Sequence, residues 1–334
     1  MNEIVIQNLM SPVVLFFVLG IAAALVKSDL AFPKALSDAL SIYLLIAIGL
    51  KGGIELANYS IESVFAPILG ALFLGGIIPL ITLGVMKLIG MDLKNAIGLA
   101  ATYGSISIVT YGAGVAFMDQ TGTTYEGFMN ALVVLMESPA ILVSLLLLRV
   151  LENKKELAVY TQRAGFVAFP SGVIDKEVVR ESLFGKSVLL LMGSLVIGWM
   201  LGESAIPAVK PLFMDLYGSI LILFLLNMGL IAGQRLPEMK KYGVKLLAFG
   251  MIAPLVFGIM GVLVGNLIEL SIGGTALMGV LAGSASYIAA PAALKTSVPE
   301  ANPSIYLGLS LGVTFPFNLI IGIPVYFEIA KWIQ

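Results

Sequence analysis

Long apolar segments fill most of this 334-residue sequence, and few charged side chains interrupt them. A helix needs about 20 mostly apolar residues to cross a bilayer. The pattern predicts ten spans, at roughly 10–27, 38–56, 63–88, 95–118, 126–151, 187–203, 213–234, 246–269, 275–295 and 304–330. Hydrophobic residues make up 59% of the chain and charged residues 12%, whereas soluble domains carry about 25% charged residues. The sequence therefore predicts an all-helical, multi-pass membrane protein with the lipid bilayer as its solvent.

The composition also removes several kinds of chemistry. The chain contains no His and no Cys, which excludes disulfides, thiol chemistry and Cys/His zinc sites. Its net charge of −1 argues against nucleic acid as a partner. Only one carboxylate falls well inside a span, so the sequence offers no paired acid and base for catalysis. We therefore expect neither an enzyme nor a bound cofactor.

The distribution of basic residues predicts the orientation of the spans, because positive residues near helix ends resist translocation. With the N-terminus placed outside, only Lys51, Lys210 and Lys331 of the 19 Lys and Arg residues fall outside. All the others fall in loops on the inside. We therefore predict a cell inner-membrane protein with both termini outside and residues 152–186 as a cytoplasmic linker.

The two halves of the chain resemble each other at a nearly constant offset. The Gly-Ser-Ile-Ser of 104–107 in span four matches the Gly-Ser-Ala-Ser of 283–286 in span nine, 179 residues later. Two further matches are 137–139 with 314–316, at an offset of 177, and 49–53 with 229–233, at an offset of 180. Because five spans are an odd number, the second repeat would enter the membrane inverted, as in many secondary transporters. The predicted domains are a first five-helix repeat (1–151), the linker (152–186) and a second, inverted repeat (187–334).

The paired Gly-Ser segments lie near the middle of spans four and nine and predict a break in each helix. Pro291, which suits the first turn of a helix, follows five residues after Ser286. We expect the helices to stop near Gly104 and Gly283, and to restart near Ser107 and Ser286. The alternative is that these small residues only allow close helix packing.

Two restarted helices of inverted repeats would direct their N-termini at one shared site near the bilayer midplane. A helix N-terminus offers free N–H groups and a partial positive charge, which attract anions. The carbonyls freed at each break, together with hydroxyls, suit Na⁺. The predicted anion-binding residues are Gly104, Ser105, Ser107, Thr110, Gly283, Ser284 and Ser286. The predicted sodium ligands are Ser107, Thr110, Ser286 and Glu137.

Glu137 is the acidic residue that falls well inside a span, in span five. Carboxylates in the membrane interior are costly and usually functional. Three roles stay open for Glu137: a cation ligand, a proton carrier, or a protonated group in a structural hydrogen bond. For Asn227 and Asn318, in spans seven and ten, the pattern favours hydrogen bonds between helices over ligand binding.

At these positions the sequence resembles the sodium-dependent bicarbonate transporter family, along nearly its whole length. The residues that carry the resemblance are Tyr103 to Ser107 with Thr110, Glu137 to Ala140, Ser284 to Pro291, and Pro299 to Ser304 with Tyr306 and Gly308. The chain departs from the family pattern at Tyr287, where the resemblance leads us to expect an aspartate.

The resemblance implies a ten-helix fold with a core and a gate subdomain, a homotrimer, and elevator-type alternating access. It implies sodium-driven symport of bicarbonate, with the substrate at the crossing of the two broken helices, and a PII-like cytoplasmic regulator as a partner. Three alternatives stay open. They are a sodium- or proton-coupled transporter of another small organic anion with Glu137 carrying the proton, a channel, and a membrane enzyme.

Overall fold

In the computed structural model, the described part of the chain is residue 6 and residues 8–160, 180, 184–239 and 243–334. It is helical, with no β-strand among the described residues. The main helices are α1 (Pro12–Leu25), α2 (Lys34–Leu56), α3 (Ile61–Leu88), α4 (Leu93–Gly104), α5 (Ile108–Thr121), α6 (Met129–Tyr160), α7 (Lys186–Leu201), α8 (Tyr217–Met239), α9 (Gly243–Leu267), α10 (Ile272–Gly283), α11 (Ala289–Ser297) and α12 (Pro303–Ile333). Helix α6 extends past the predicted start of the linker 152–186, most of which lies outside the described residues.

Seven helical stretches in the described part of the chain are long and apolar enough to cross a membrane. They are Lys34–Leu56, Ile61–Leu88, Leu93–Thr121, Met129–Glu152, Lys186–Arg235, Gly243–Leu267 and Pro303–Ile333. The stretch Lys186–Arg235 has 50 residues, about 75 Å of helix at 1.5 Å per residue, more than twice the thickness of the hydrocarbon core. It contains two helices, α7 and α8, joined by short turns. Two other apolar helices, α1 and α10, are shorter. The count of ten spans stays a prediction.

Glycines bring α2 against α7, and α1 against α8, at backbone contact distance. A Cβ atom at Gly53 would overlap the main chain of α7 at Leu195, and one at Gly198 would overlap the main chain of α2. In the second pair, a Cβ at Gly20 would overlap the main chain of α8, and one at Gly229 would overlap that of α1. Each helix pair therefore closes through small residues, which is how helices associate in lipid. We call these four helices the glycine-paired helices.

A network of polar groups between α9, α10 and α12 holds the end of α10. The side-chain amide of Asn318 donates to the carbonyl of Gly283 at 2.8 Å, the last residue of α10. The hydroxyl of Tyr326 lies 2.8 Å from Oδ1 of Asn318 and 2.7 Å from the carbonyl of Pro254 in α9. Asn318 therefore makes a hydrogen bond between helices, as the sequence pattern favoured. Asn227 does the same, because its side-chain amide donates to the hydroxyl of Ser37 at 2.7 Å.

Polar contacts also join the ends of the helices on the side predicted to be cytoplasmic. Lys94, in the first turn of α4, forms an ion pair with Glu152 in α6 and lies 3.7 Å from a carboxylate oxygen of Glu300. The side-chain oxygen of Asn95 accepts from the backbone N–H of Asn302, just before α12, at 2.7 Å. These contacts fix the start of α4 to α6 and α12.

The contact between α2 and α7 predicts a large effect of one methyl group. We expect Gly53→Ala to lower stability by about 1–3 kcal/mol, because the new Cβ must push the two backbones apart. The measurement is the thermal unfolding midpoint of purified protein in detergent. Gly193→Ala in α7 is the matched control, since no atom lies within 4 Å of its Cβ position. Equal midpoints for the two variants would contradict the packing argument.

Candidate functional site at two helix breaks

The first helix break separates α4 from α5. Helix α4 ends at Gly104, whose missing Cβ makes room for the ring of Pro79 from α3. Ser105 is extended, with φ −83° and ψ 160°. Ser107 then caps α5, because its Oγ accepts from the backbone N–H of Thr110 at 3.1 Å and from the Thr110 hydroxyl at 2.9 Å. Serine is among the preferred residues at a helix N-cap, so the sequence determines this break locally.

The second break separates α10 from α11. Helix α10 ends at Gly283, and Ser284 is extended and donates its hydroxyl back to the carbonyl of Leu281 at 2.9 Å. The Oγ of Ser286 accepts from the backbone N–H of Ala290 at 3.2 Å. Pro291 lies in the first turn of α11, where a helix needs no N–H. Both predicted stops agree with the helix ends, whereas α11 begins at Ala289, three residues after the predicted restart.

The two breaks are hydrogen-bonded directly to each other. The backbone N–H of Ser107 donates to Oγ of Ser284 at 2.9 Å. In return, the backbone N–H of Ser286 donates to the carbonyl of Thr102, near the end of α4, at 2.8 Å. Non-helical backbone in lipid must satisfy its polar groups within the protein, and here each break satisfies part of the other. We call this pair of hydrogen bonds the break contact.

A small cavity of about 10 Å³ lies beside the break contact. Its lining consists of Ile106, Ser107, Ile108, Glu137, Ser286, Tyr287 and Ile288. This volume holds about one water molecule or ion. The structure thus brings three of the predicted sodium ligands, Ser107, Ser286 and Glu137, to one cavity. Thr110 reaches it only through its hydrogen bonds to Ser107, and Ser105 and Ser284 do not line it.

The cavity lining includes residues that sequence reasoning did not assign to the site. Tyr287 and three isoleucines form most of its wall. From the sequence alone, an isoleucine that lines a cavity cannot be distinguished from an isoleucine in the ordinary hydrophobic core. The departure from the family pattern at Tyr287 was the one signal available, and it points to this same cavity.

Buried polar atoms without a hydrogen-bond partner concentrate at the breaks. In the described part of the chain, the hydroxyls of Thr102, Ser105 and Tyr287 and one carboxylate oxygen of Glu137 have none. An unsatisfied buried polar group costs about 1–3 kcal/mol. These atoms are therefore free to form hydrogen bonds with a bound solute or to ligate a cation at the breaks.

The charge balance at the cavity is unusual because Glu137 has no cation beside it. Its side chain is 1% exposed, and no ion pair between described residues includes it. A buried carboxylate without a partner is strongly disfavoured, so Glu137 needs a cation or a proton. No three His, Cys, Asp or Glu side chains gather within the described ranges, so the oxygen atoms for a cation here would come mainly from hydroxyls and carbonyls.

Two larger cavities lie on either side of the breaks. One, of about 260 Å³, is lined by Asp38, Lys186, Ala289 and other residues and shares Ile288 with the small cavity. The other, of about 290 Å³, is lined by the second half of α5 and the starts of α1 and α8. Lys186, which lines the first cavity, lies on the side predicted to be cytoplasmic. Ile288 is the one lining residue that the first cavity and the small cavity share.

The break contact predicts that Ser284→Ala destabilises the protein. The variant leaves the buried N–H of Ser107 without its acceptor, which costs about 1–3 kcal/mol. We expect a lower unfolding midpoint in detergent than for the wild type. Ser144→Ala is the control, because this equally buried hydroxyl only donates to Ala140 within α6. A Ser284→Ala midpoint equal to that of the control would show that the contact contributes little.

Comparison with known protein families identifies the family of the chain. Residues 12–331 match the Na⁺-dependent bicarbonate transporter superfamily. No curated protein matches the chain at a significant level. Members of this superfamily are transporters, and the apolar helices are those of a multi-pass membrane protein. Because the match covers nearly all of the sequence, the chain belongs to the Na⁺-dependent bicarbonate transporter superfamily.

Proposed function

We propose that this protein is a sodium-coupled symporter of bicarbonate or a similar small anion. The observation that carries the proposal is the break contact, which joins the two interrupted helices next to a cavity lined by hydroxyls and by a carboxylate with an unpartnered oxygen. The superfamily implies sodium-dependent bicarbonate transport. A site made of backbone N–H groups, hydroxyls and one buried carboxyl suits that pair of solutes.

The anion would bind where helices α5 and α11 begin. Both starts offer backbone N–H groups and the positive end of a helix dipole, and Lys186 lines the larger cavity that shares Ile288 with the small one. The proposed anion-binding residues are Gly104, Ser105, Ser107, Thr110, Gly283, Ser284 and Ser286. Their hydroxyls and N–H groups would replace the water around a bicarbonate ion without a fixed Arg or Lys in the site.

The sodium ion would bind beside the anion, with Ser107, Thr110, Ser286 and Glu137 as its ligands. A carboxylate and neutral oxygens suit this hard cation. The ion would neutralise Glu137, which has no basic partner, and would thereby remove the repulsion between this carboxylate and the neighbouring anion. Coupling would then follow because each solute improves the site for the other.

Two packing relationships support an inverted repeat with elevator-type movement. Counting α7 and α8 separately, and adding α1 and the α10–α11 pair, the helices would make up the ten predicted spans. Gly20 and Gly198, in the first helix of each half, are 178 residues apart, and Gly53 and Gly233, in the second, are 180 apart. We propose that the glycine-paired helices form the gate subdomain and that α3–α6 and α9–α12 form the moving core. The homotrimer, the inner-membrane location and the outward termini are part of the same proposal.

A second candidate function rests on Glu137 itself. Its buried, unpaired carboxyl could be neutralised by a proton instead of a sodium ion. In that case the protein would be a sodium- or proton-coupled transporter of another small organic anion. The two candidates differ in which cation gradient drives uptake, so one experiment separates them.

The decisive measurement is uptake of isotopically labelled bicarbonate into proteoliposomes. We expect an inward sodium gradient to drive accumulation, and its replacement by choline to abolish it. Ser107→Ala should raise the sodium concentration for half-maximal uptake about tenfold, because one ligating hydroxyl is lost. Ser144→Ala, a buried serine in α6 away from the cavity, is the control and should behave as wild type. Uptake without sodium that follows an imposed proton gradient would favour the second candidate.

Glu137→Gln tests the role of the carboxyl. If Glu137 ligates sodium, the amide keeps the shape but lacks the charge, so sodium affinity should fall by about tenfold or more while the folded protein stays intact. The measurement is the sodium dependence of uptake at several pH values. A variant with unchanged sodium affinity but without the pH dependence of the wild type would assign Glu137 to proton transfer.

A further inference from the structure

Tyr287 stands at the wall of the small cavity, and its hydroxyl has no well-formed hydrogen bond. It lies in the extended segment between α10 and α11, directly after Ser286. Its side chain is only 8% exposed, and within the described chain its hydroxyl interacts with the Ser107 side chain without completing a hydrogen bond of good geometry. Buried tyrosine hydroxyls nearly always find a partner. This one lies beside a cavity lined by Ser107, Ser286 and Glu137.

The ring of Tyr287 determines how much room the cavity has. It is the largest of the seven side chains that line the cavity. The remaining space, about 10 Å³, admits one water-sized particle but not the four heavy atoms of bicarbonate. A bound anion must therefore displace part of the cavity wall. A shift of the Tyr287 ring would enlarge the cavity most, because this ring is the largest side chain in the wall.

Aromatic packing gives the ring a defined position. Tyr287 packs edge-on against Phe315 of α12, with ring centroids 5.5 Å apart and planes at 70°. Phe315 packs in turn against Phe17 of α1, at 5.1 Å and 87°. Such edge-to-face pairs are favourable and directional. The ring thus has a fixed support behind it and can retreat only by a limited amount.

Building on the proposed function, we propose that Tyr287 is the residue that determines the substrate specificity of the site. Its hydroxyl donates a hydrogen bond to the bound anion, and its ring limits the anion to a small planar oxyanion such as bicarbonate or formate. A carboxylate with a longer alkyl chain, such as propionate, is excluded by the ring. The unused hydroxyl and the restricted volume are two independent observations that lead to the same residue.

The test compares Tyr287→Phe and Tyr287→Ala with wild type in sodium-driven bicarbonate uptake, with formate, acetate and propionate as competitors. Tyr287→Phe keeps the ring and removes the donor, so the KM for bicarbonate should rise about tenfold with little change in maximal rate. Tyr287→Ala should let propionate inhibit at a concentration at least tenfold lower than in wild type. Formate should inhibit wild type, and propionate should not.

Tyr111→Phe is the matched control. It removes a buried hydroxyl that bonds to Asn130 at 3.2 Å and does not line the cavity, so bicarbonate KM should stay unchanged. If Tyr287→Ala does not fold, Tyr287→Leu keeps an apolar contact for Phe315 and shortens the wall, with the same expected gain for propionate.

The outcomes separate this inference from the proposed function. One outcome would overturn the role of Tyr287 and leave the symporter intact. In that outcome wild type shows sodium-driven uptake, Tyr287→Phe has an unchanged KM for bicarbonate, and the smaller variants have an unchanged competitor profile. Absence of sodium-driven bicarbonate uptake in wild type would overturn both. A raised KM in Tyr287→Phe, with propionate gaining access in Tyr287→Ala or Tyr287→Leu, supports both.

Discussion

The break contact is the interaction on which the rest of this structure depends. An interrupted helix leaves N–H and carbonyl groups free, and hydrocarbon offers them no partner. Here the N–H of Ser107 bonds to the side chain of Ser284, and the N–H of Ser286 bonds to the carbonyl of Thr102. Each interruption therefore requires the other. The site is thus a property of both halves of the chain and cannot form from one half alone.

Under the proposed function, the same contact would explain how the site recognises an anion without a basic residue in it. Two helix starts supply fixed partial charges, which need no desolvated Lys or Arg. Further hydrogen bonds or cation contacts could come from buried oxygen atoms that have no partner, among them a carboxylate oxygen of Glu137. A cation would neutralise Glu137, and the helix starts would then attract an anion that the free carboxylate repels, which would be the electrostatic basis of the proposed symport.

The parts of this site that depend on local sequence could be predicted, and those that depend on packing could not. The helix ends at Gly104 and Gly283 follow from Gly-Ser signals within a few residues. The start of α11 was predicted three residues early, because Ser286 bonds to the N–H of Ala290 from outside the helix. The place of Tyr287 in the wall depends on Phe315, 28 residues further along the chain, and no local pattern encodes such a distant contact.

The glycine-paired helices have a mechanical consequence. Where Gly53 meets α7, and where Gly20 meets α8, main chain lies against main chain with no side chain between them. Contacts through side chains can loosen when a rotamer changes, but a contact between backbones has no such freedom. We therefore expect each of these helix pairs to move as one rigid body. A change of conformation would then occur at the surfaces between these pairs and the helices that carry the breaks.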